Sequence, residues 1–150
     1  MKKPAVLLVI PYFLLTACAA TSGKPTEYST NRERIETFAK TLYQEKNVEK
    51  AFMEFVSHDY IQHNPGLTDG RDAAIKALTP MFADPYSKFE VKRIIVEGDL
   101  AVIHLHGKGN KDTLGGAVAD IYRLEKGLIV EHWDVIQPIK ASTINPHPYF

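Results

Sequence analysis

The spacing of apolar residues changes once along this chain, at Pro85, and that change limits the folds open to it. Before Pro85 apolar residues recur three and four apart, the period of a helix with one buried face. Thr30 and Glu33 form a capping-box pair, and Ile35, Phe38, Ala39, Leu42 and Tyr43 follow as one stripe. Asn47 can cap a second helix carrying Val48, Ala51, Phe52, Phe55 and Val56. His58 to Asn64 is short and mixed, with room for one short strand, and Pro65-Gly66 stops it. Asp69-Gly70 turns into a third helix with Ala73, Ala74, Ala77 and Leu78 on its apolar side, ended by Pro80 and Pro85.

After Pro85 the pattern is that of strands. Phe89, Val91 and Ile94 to Val96 form the first, and Glu97-Gly98-Asp99 the turn. Leu100 to His106, Gly115 to Leu124 and Leu128 to Gln137 follow, separated by a polar hairpin loop and by Glu125-Lys126-Gly127. Short turns make antiparallel neighbours. Helices grouped before an antiparallel sheet give an α+β domain, with three N-terminal helices packed on one face of a curved antiparallel sheet. Such a sheet, closed at one side by helices, is a cone with a pocket inside.

Lys plus Arg and Asp plus Glu are 18 each, so the formal charge is zero, which argues against a nucleic-acid partner. One cysteine excludes an internal disulfide framework and a four-cysteine zinc site. That cysteine, Cys18, follows Met1-Lys2-Lys3 and an apolar run from Ala5 to Leu15, too short to span a bilayer. Leu15-Thr16-Ala17-Cys18 resembles the lipobox of bacterial lipoproteins. The resemblance implies a signal peptide over residues 1–17 and a lipidated Cys18 with a flexible tether over 18–29. The folded domain then covers 30–150. It also implies a membrane partner through the anchor. Ala19 after the cysteine points to the outer membrane facing the periplasm, in a cell that has one.

Alternation places ionisable groups in rows. Val102, His104 and His106 share one face of their strand; Val118, Asp120 and Tyr122 share a face of the next; His132, Asp134 and Ile136 share a face of the last. If the faces bearing His104, Asp120 and His132 are the concave ones, these groups converge in one cavity, where imidazoles and carboxylates perturb each other. The plain alternative leaves His104 and His106 on a solvated face, with Ile103 and Leu105 pointing inward. His63 and Asn64, before Pro65, would stand at the lip between helices and sheet. A zinc site built on His104, His106, His63 or His132 competes, but no spacing fixes it, so neither metal nor cofactor is expected.

Tyr60-Ile61-Gln62-His63-Asn64-Pro65, Asp69-Gly70-Arg71, Gly98 to Val102, Ala119 to Arg123 and Ile129 to Val135 together resemble one family over about residues 30–137. It is the SnoaL-like polyketide cyclases of the nuclear-transport-factor-2-like (NTF2-like) superfamily, within it the bacterial group assigned to aldol-type condensation. The resemblance implies a small-molecule substrate and a homodimer formed by the sheet face that carries Trp133. It makes Asp120 the acid/base, with His63 or His132 as second proton carrier. Asn64, His104, His106, Tyr122 and Asp134 would bind substrate. Related ketosteroid isomerases have an Asp base in the segment before the proline; here Asn64 stands there, which counts against steroid isomerisation. Two functions follow: acid/base chemistry on a small carbonyl compound, or a non-catalytic envelope lipoprotein binding a ligand in the same pocket.

Overall fold

A computed structural model describes residues 27–150; the lipobox-like segment and Cys18 lie outside the described residues. The element order is α1 (Glu27–Ala39), a π-helical turn (Lys40–Gln44), α2 (Val48–Phe55), β1 (Val56–Gln62), α3 (Arg71–Ala83), β2 (Lys88–Glu97), β3 (Leu100–Lys108), β4 (Gly116–Glu125) and β5 (Leu128–Pro138). The five strands form one sheet in the order β1-β5-β4-β3-β2. The hairpins are antiparallel as expected, but β1 lies parallel to β5.

The apolar stripe of α1 does what its spacing demands: Ile35, Phe38 and Ala39 are buried. Helix α1 starts at Glu27, however, so Thr30 lies inside it and is not its cap. Pro25 is the last residue before it that would bar a helix, and nothing between stops one. Asn47 does cap α2, its side chain accepting from the Lys50 N–H at 3.1 Å. The π-turn between α1 and α2 was not legible. Three consecutive residues in it, Thr41, Leu42 and Tyr43, are buried. Helix α3 also runs through Pro80 to Ala83. The proline removes one hydrogen bond on the exposed side, in the last turn, where that loss is tolerated.

The turns close as glycine permits. Lys126 (φ 51°) and Gly127 (φ 80°) both take positive φ between β4 and β5, the backbone that matches strand twist in a two-residue hairpin. Register shifts in β1, in β2 near Lys92 and between Arg123 and Leu124 bend the strands. The curved sheet remains open and wraps the helices. Phe38 packs edge-on against Phe52, Phe55 and Tyr122 at 6.0, 6.2 and 5.3 Å, joining α1, α2 and β4 in one core. Asn31, buried, donates to the Gly98 carbonyl at 3.0 Å and ties α1 to the β2–β3 turn.

Candidate active site

Cross-strand register decides which side chains share the cavity. Ile103 lies opposite Asp120, Ala101 opposite Tyr122, and Leu105 opposite Val118. On the other side Asp120 faces Asp134, Tyr122 faces His132, and Val118 faces Ile136. The concave face therefore carries Ala101, Ile103 and Leu105 from β3, not its histidines. His104 and His106 stand on the convex face. Their rings lie 5.5 and 5.3 Å from Phe150, and His106 Nε2 is 2.8 Å from the Leu114 carbonyl. The expectation that they line the cavity is corrected. Burial of Ile103 and Leu105 against the helices sets the face.

His63 is corrected as well. It stacks on Trp133 at 4.8 Å with 9° between the planes, outside the cavity, and its Nε2 meets Glu131 Oε1 at 2.9 Å. Arg123 Nε donates to the other Glu131 oxygen at 2.8 Å. His63 and then Arg123 hold the Glu131 carboxyl below its ordinary range.

Five expected residues do converge. Asp120, His132, Asp134, Tyr122 and Asn64 line a pocket of about 540 Å³, within the range of small-molecule sites. Tyr43, Tyr60 and Gln62 join them, and sequence reasoning assigned none of these a role. Tyr43 was legible only as a core position; its hydroxyl is the polar end of a buried ring. Tyr60 and Gln62 are spaced two apart in β1 and so share a face, and Asn64 continues that spacing just past the end of the strand, a signal that the short strand expected there already carried.

The polar groups form one connected set at the cavity floor. Tyr43 donates to Asp120 Oδ2 at 2.6 Å, and its oxygen lies 2.8 Å from the Tyr122 hydroxyl. His132 Nε2 lies 3.3 Å from Asp120 Oδ1, and its Nδ1 2.9 Å from Gln62 Oε1. Asn64 donates from Nδ2 to Asp134 Oδ2, while its Oδ1 accepts from the Gly66 N–H at 2.8 Å. Asp69 accepts from the Gln62 N–H at 2.8 Å, and Tyr60 O from the Gly70 N–H at 2.7 Å, so the Asp69-Gly70 turn pins the end of β1.

Burial, then the charge of Asp120, drives the phenols of Tyr43, Tyr60 and Tyr122 well above their ordinary range. They are neutral donors at any physiological pH, not bases. The rest of the lining is largely apolar, with Leu67, Leu78, Phe82 and Val118, and the exposed Met81 and Ile136 carry it out to solvent. Among the described residues lining the pocket, Lys108 is the one Lys or Arg. Asp120, His132 and Asp134 offer ligand atoms within 4.8 Å of one another, a set that could also hold a metal ion.

Such a floor can move a proton. A carboxyl and an imidazole in contact, with neutral donors around them and an apolar mouth, suit removal and return of a proton on a small ligand.

Comparison with known proteins agrees with the fold. An LEH-like epoxide hydrolase from M. tuberculosis is similar with a TM-score of 0.58 and 18% identity, covering 74% of this chain and 85% of that one. A candidate SnoaL-like polyketide cyclase from Jannaschia superposes with a TM-score of 0.60 at 17% identity, over 76% of this chain and 90% of that chain. An NTF2-like protein from Cytophaga hutchinsonii gives 0.60 at 20% identity, over 72% and 90%. No curated protein matches this chain closely enough to count as a relative. The SnoaL-like domain family matches residues 35–132, from the first buried residue of the α1 stripe to the pocket histidine. The chain belongs to the SnoaL-like domain family, on an NTF2-like fold.

Proposed function

We propose that this protein carries out acid/base chemistry of the enolate, aldol type on a small carbonyl compound held in the cone. One observation carries the reading: Asp120, 9% exposed, contacts His132 at 3.3 Å and Tyr43 at 2.6 Å on the floor of a pocket open to ligand. The apolar mouth takes the body of the substrate, and the carbonyl end reaches the floor. Asp120 takes the proton next to the carbonyl, and His132 is the second proton carrier. Tyr60, held neutral, is the donor that stabilises the enolate oxygen, Tyr122 gives its hydrogen to the Tyr43 oxygen and so holds Tyr43 on Asp120, and Asn64 and Asp134 orient the substrate. Asn64 is an amide and cannot serve as the base. The apolar convex face around Trp133 and Val135 is the surface we assign to a homodimer.

A second reading, a non-catalytic envelope lipoprotein binding a ligand in the same pocket, draws support from the lipobox-like segment ending at Cys18. One experiment separates the two. The protein is incubated with a panel of enolisable ketones and aldehydes in heavy water, and α-proton exchange is followed by NMR. Enolate chemistry gives exchange that Asp120→Asn lowers by about 10²-fold or more, with ligand binding retained. Exchange untouched by Asp120→Asn removes Asp120 from the mechanism. Binding without any exchange transfers the assignment to the lipoprotein reading.

A further inference from the structure

We propose that Gln62 is a positioning residue that fixes the tautomer of His132, so that His132 and Asp120 share a single proton. The inference follows from which atoms can only donate. The Asn64 backbone N–H points at the Gln62 side chain at 2.9 Å, and a backbone N–H has no lone pair to offer. The atom it meets must be the amide oxygen. His132 Nδ1 lies 2.9 Å from that same oxygen, so Nδ1 must carry a hydrogen. The amide nitrogen of Gln62 is turned the other way, donating to the Tyr60 hydroxyl at 3.3 Å. The whole arrangement is held from outside the pocket, because Asp69 grips the Gln62 N–H and the His63 N–H bonds the His132 carbonyl at 3.0 Å.

With Nδ1 protonated, the neutral ring presents a bare Nε2 to Asp120 Oδ1, 3.3 Å away. A lone pair facing a carboxylate is repulsive unless one proton sits between them. The pair is therefore carboxylic acid with neutral imidazole, or carboxylate with imidazolium, and either form holds one transferable proton. Had Nε2 carried the hydrogen on a neutral ring, Asp120 would be an ionised acceptor and Nδ1 would clash with the Gln62 oxygen. The catalytic weight of the tautomer rests on the acid/base reading above; the tautomer itself does not.

The test is spectroscopic first. Long-range ¹H–¹⁵N spectra of the ¹⁵N-labelled full chain report which imidazole nitrogen is protonated, with His132→Asn identifying the signal. Nδ1 is expected protonated through neutral and weakly alkaline pH. Gln62→Leu, which removes the acceptor, is expected to shift the ring toward Nε2–H, and Gln62→Glu, which keeps an acceptor oxygen, to restore Nδ1–H. In the exchange assay Gln62→Leu should lower kcat by about 10²-fold with KM little changed, since a misplaced imidazole tautomer disables proton transfer without removing the pocket. Gln62→Glu should recover much of it. A wild-type His132 with a bare Nδ1 and protonated Nε2 overturns the proposal, and this spectrum decides even if Gln62→Leu does not fold. An unshifted tautomer in a folded Gln62→Leu overturns it too. The expected spectra with no exchange in any protein support the tautomer and overturn the enolate reading instead.

Discussion

Tyr43 shows how one residue can be read correctly and incompletely. Its place in the α1 stripe identified a buried ring, and the ring is 5% exposed. Nothing in the spacing told that its hydroxyl, carried inward by the π-turn, would meet Asp120 from another part of the chain. Asp120, Tyr122, His132 and Asp134 were legible as rows, because alternation is a local property. The partner row from β3 was not, because cross-strand register depends on the 109–115 connection, whose path no local period encodes. At this scale the Tyr43–Asp120 bond makes two predictions for one variant. Tyr43→Phe leaves a buried carboxylate oxygen without its donor and should cost about 1–3 kcal/mol at neutral pH in urea unfolding. The second concerns alkali. The folded phenol titrates above its unfolded value, so folding holds a proton that the unfolded chain releases. That contribution is complete below about pH 10, the unfolded tyrosine value, and is lost as pH rises beyond it. Wild-type stability should therefore fall as pH rises above about 10, with a slope that Tyr43→Phe makes shallower. Parallel slopes in the two proteins would show that Tyr43 ionises as freely folded as unfolded.

Elements were legible where a signal of their own marks their ends. Asn47 is such a signal: an amide before an apolar period, found accepting from the Lys50 N–H. Asn47→Ala should lower stability by about 1 kcal/mol, and Asn47→Asp or Asn47→Ser should recover most of it. Calorimetry on the three variants checks this, and an unchanged Tm for Asn47→Ala would mean that packing alone fixes the start of α2. Thr30 carries an equally good pattern and lies inside α1, because a capping box marks only where a helix can begin. Pro80 misled in the opposite direction, since a proline near a helix end removes one bond without ending the helix. β1 was hardest to read, for a physical reason. It follows α2 without a break, its burial does not alternate evenly, and its pairing with β5 skips register between Val56 and Ile61. Its inward residues at the far end, Tyr60 and Gln62, are the site residues that reading missed.

At the scale of the whole molecule the cone and the proposed anchor have to be compatible. Helices before an antiparallel sheet were enough to give the α+β cone, because short hairpins leave little topological choice. Among the described residues no helix is long and apolar enough to cross a membrane. The attachment proposed for this chain is through Cys18. Residues 19–26 separate that cysteine from α1 and can extend no more than about 30 Å, so the domain would work close to the bilayer surface. A lipidated cysteine with several acyl chains gives stable attachment where one chain gives only weak, reversible binding. Expressed in a bacterium with its first 17 residues intact, the wild-type chain should therefore sediment with membranes and resist a high-salt wash. Detergent should release it. Cys18→Ser should leave the chain out of that fraction while preserving the fold, as read by its circular dichroism and by ligand binding in the pocket. Salt release of the wild type would point to a charged surface contact, which screening weakens and a buried acyl chain survives. Sedimentation of Cys18→Ser in full would place the attachment elsewhere in the chain and leave Cys18 without the role proposed for it.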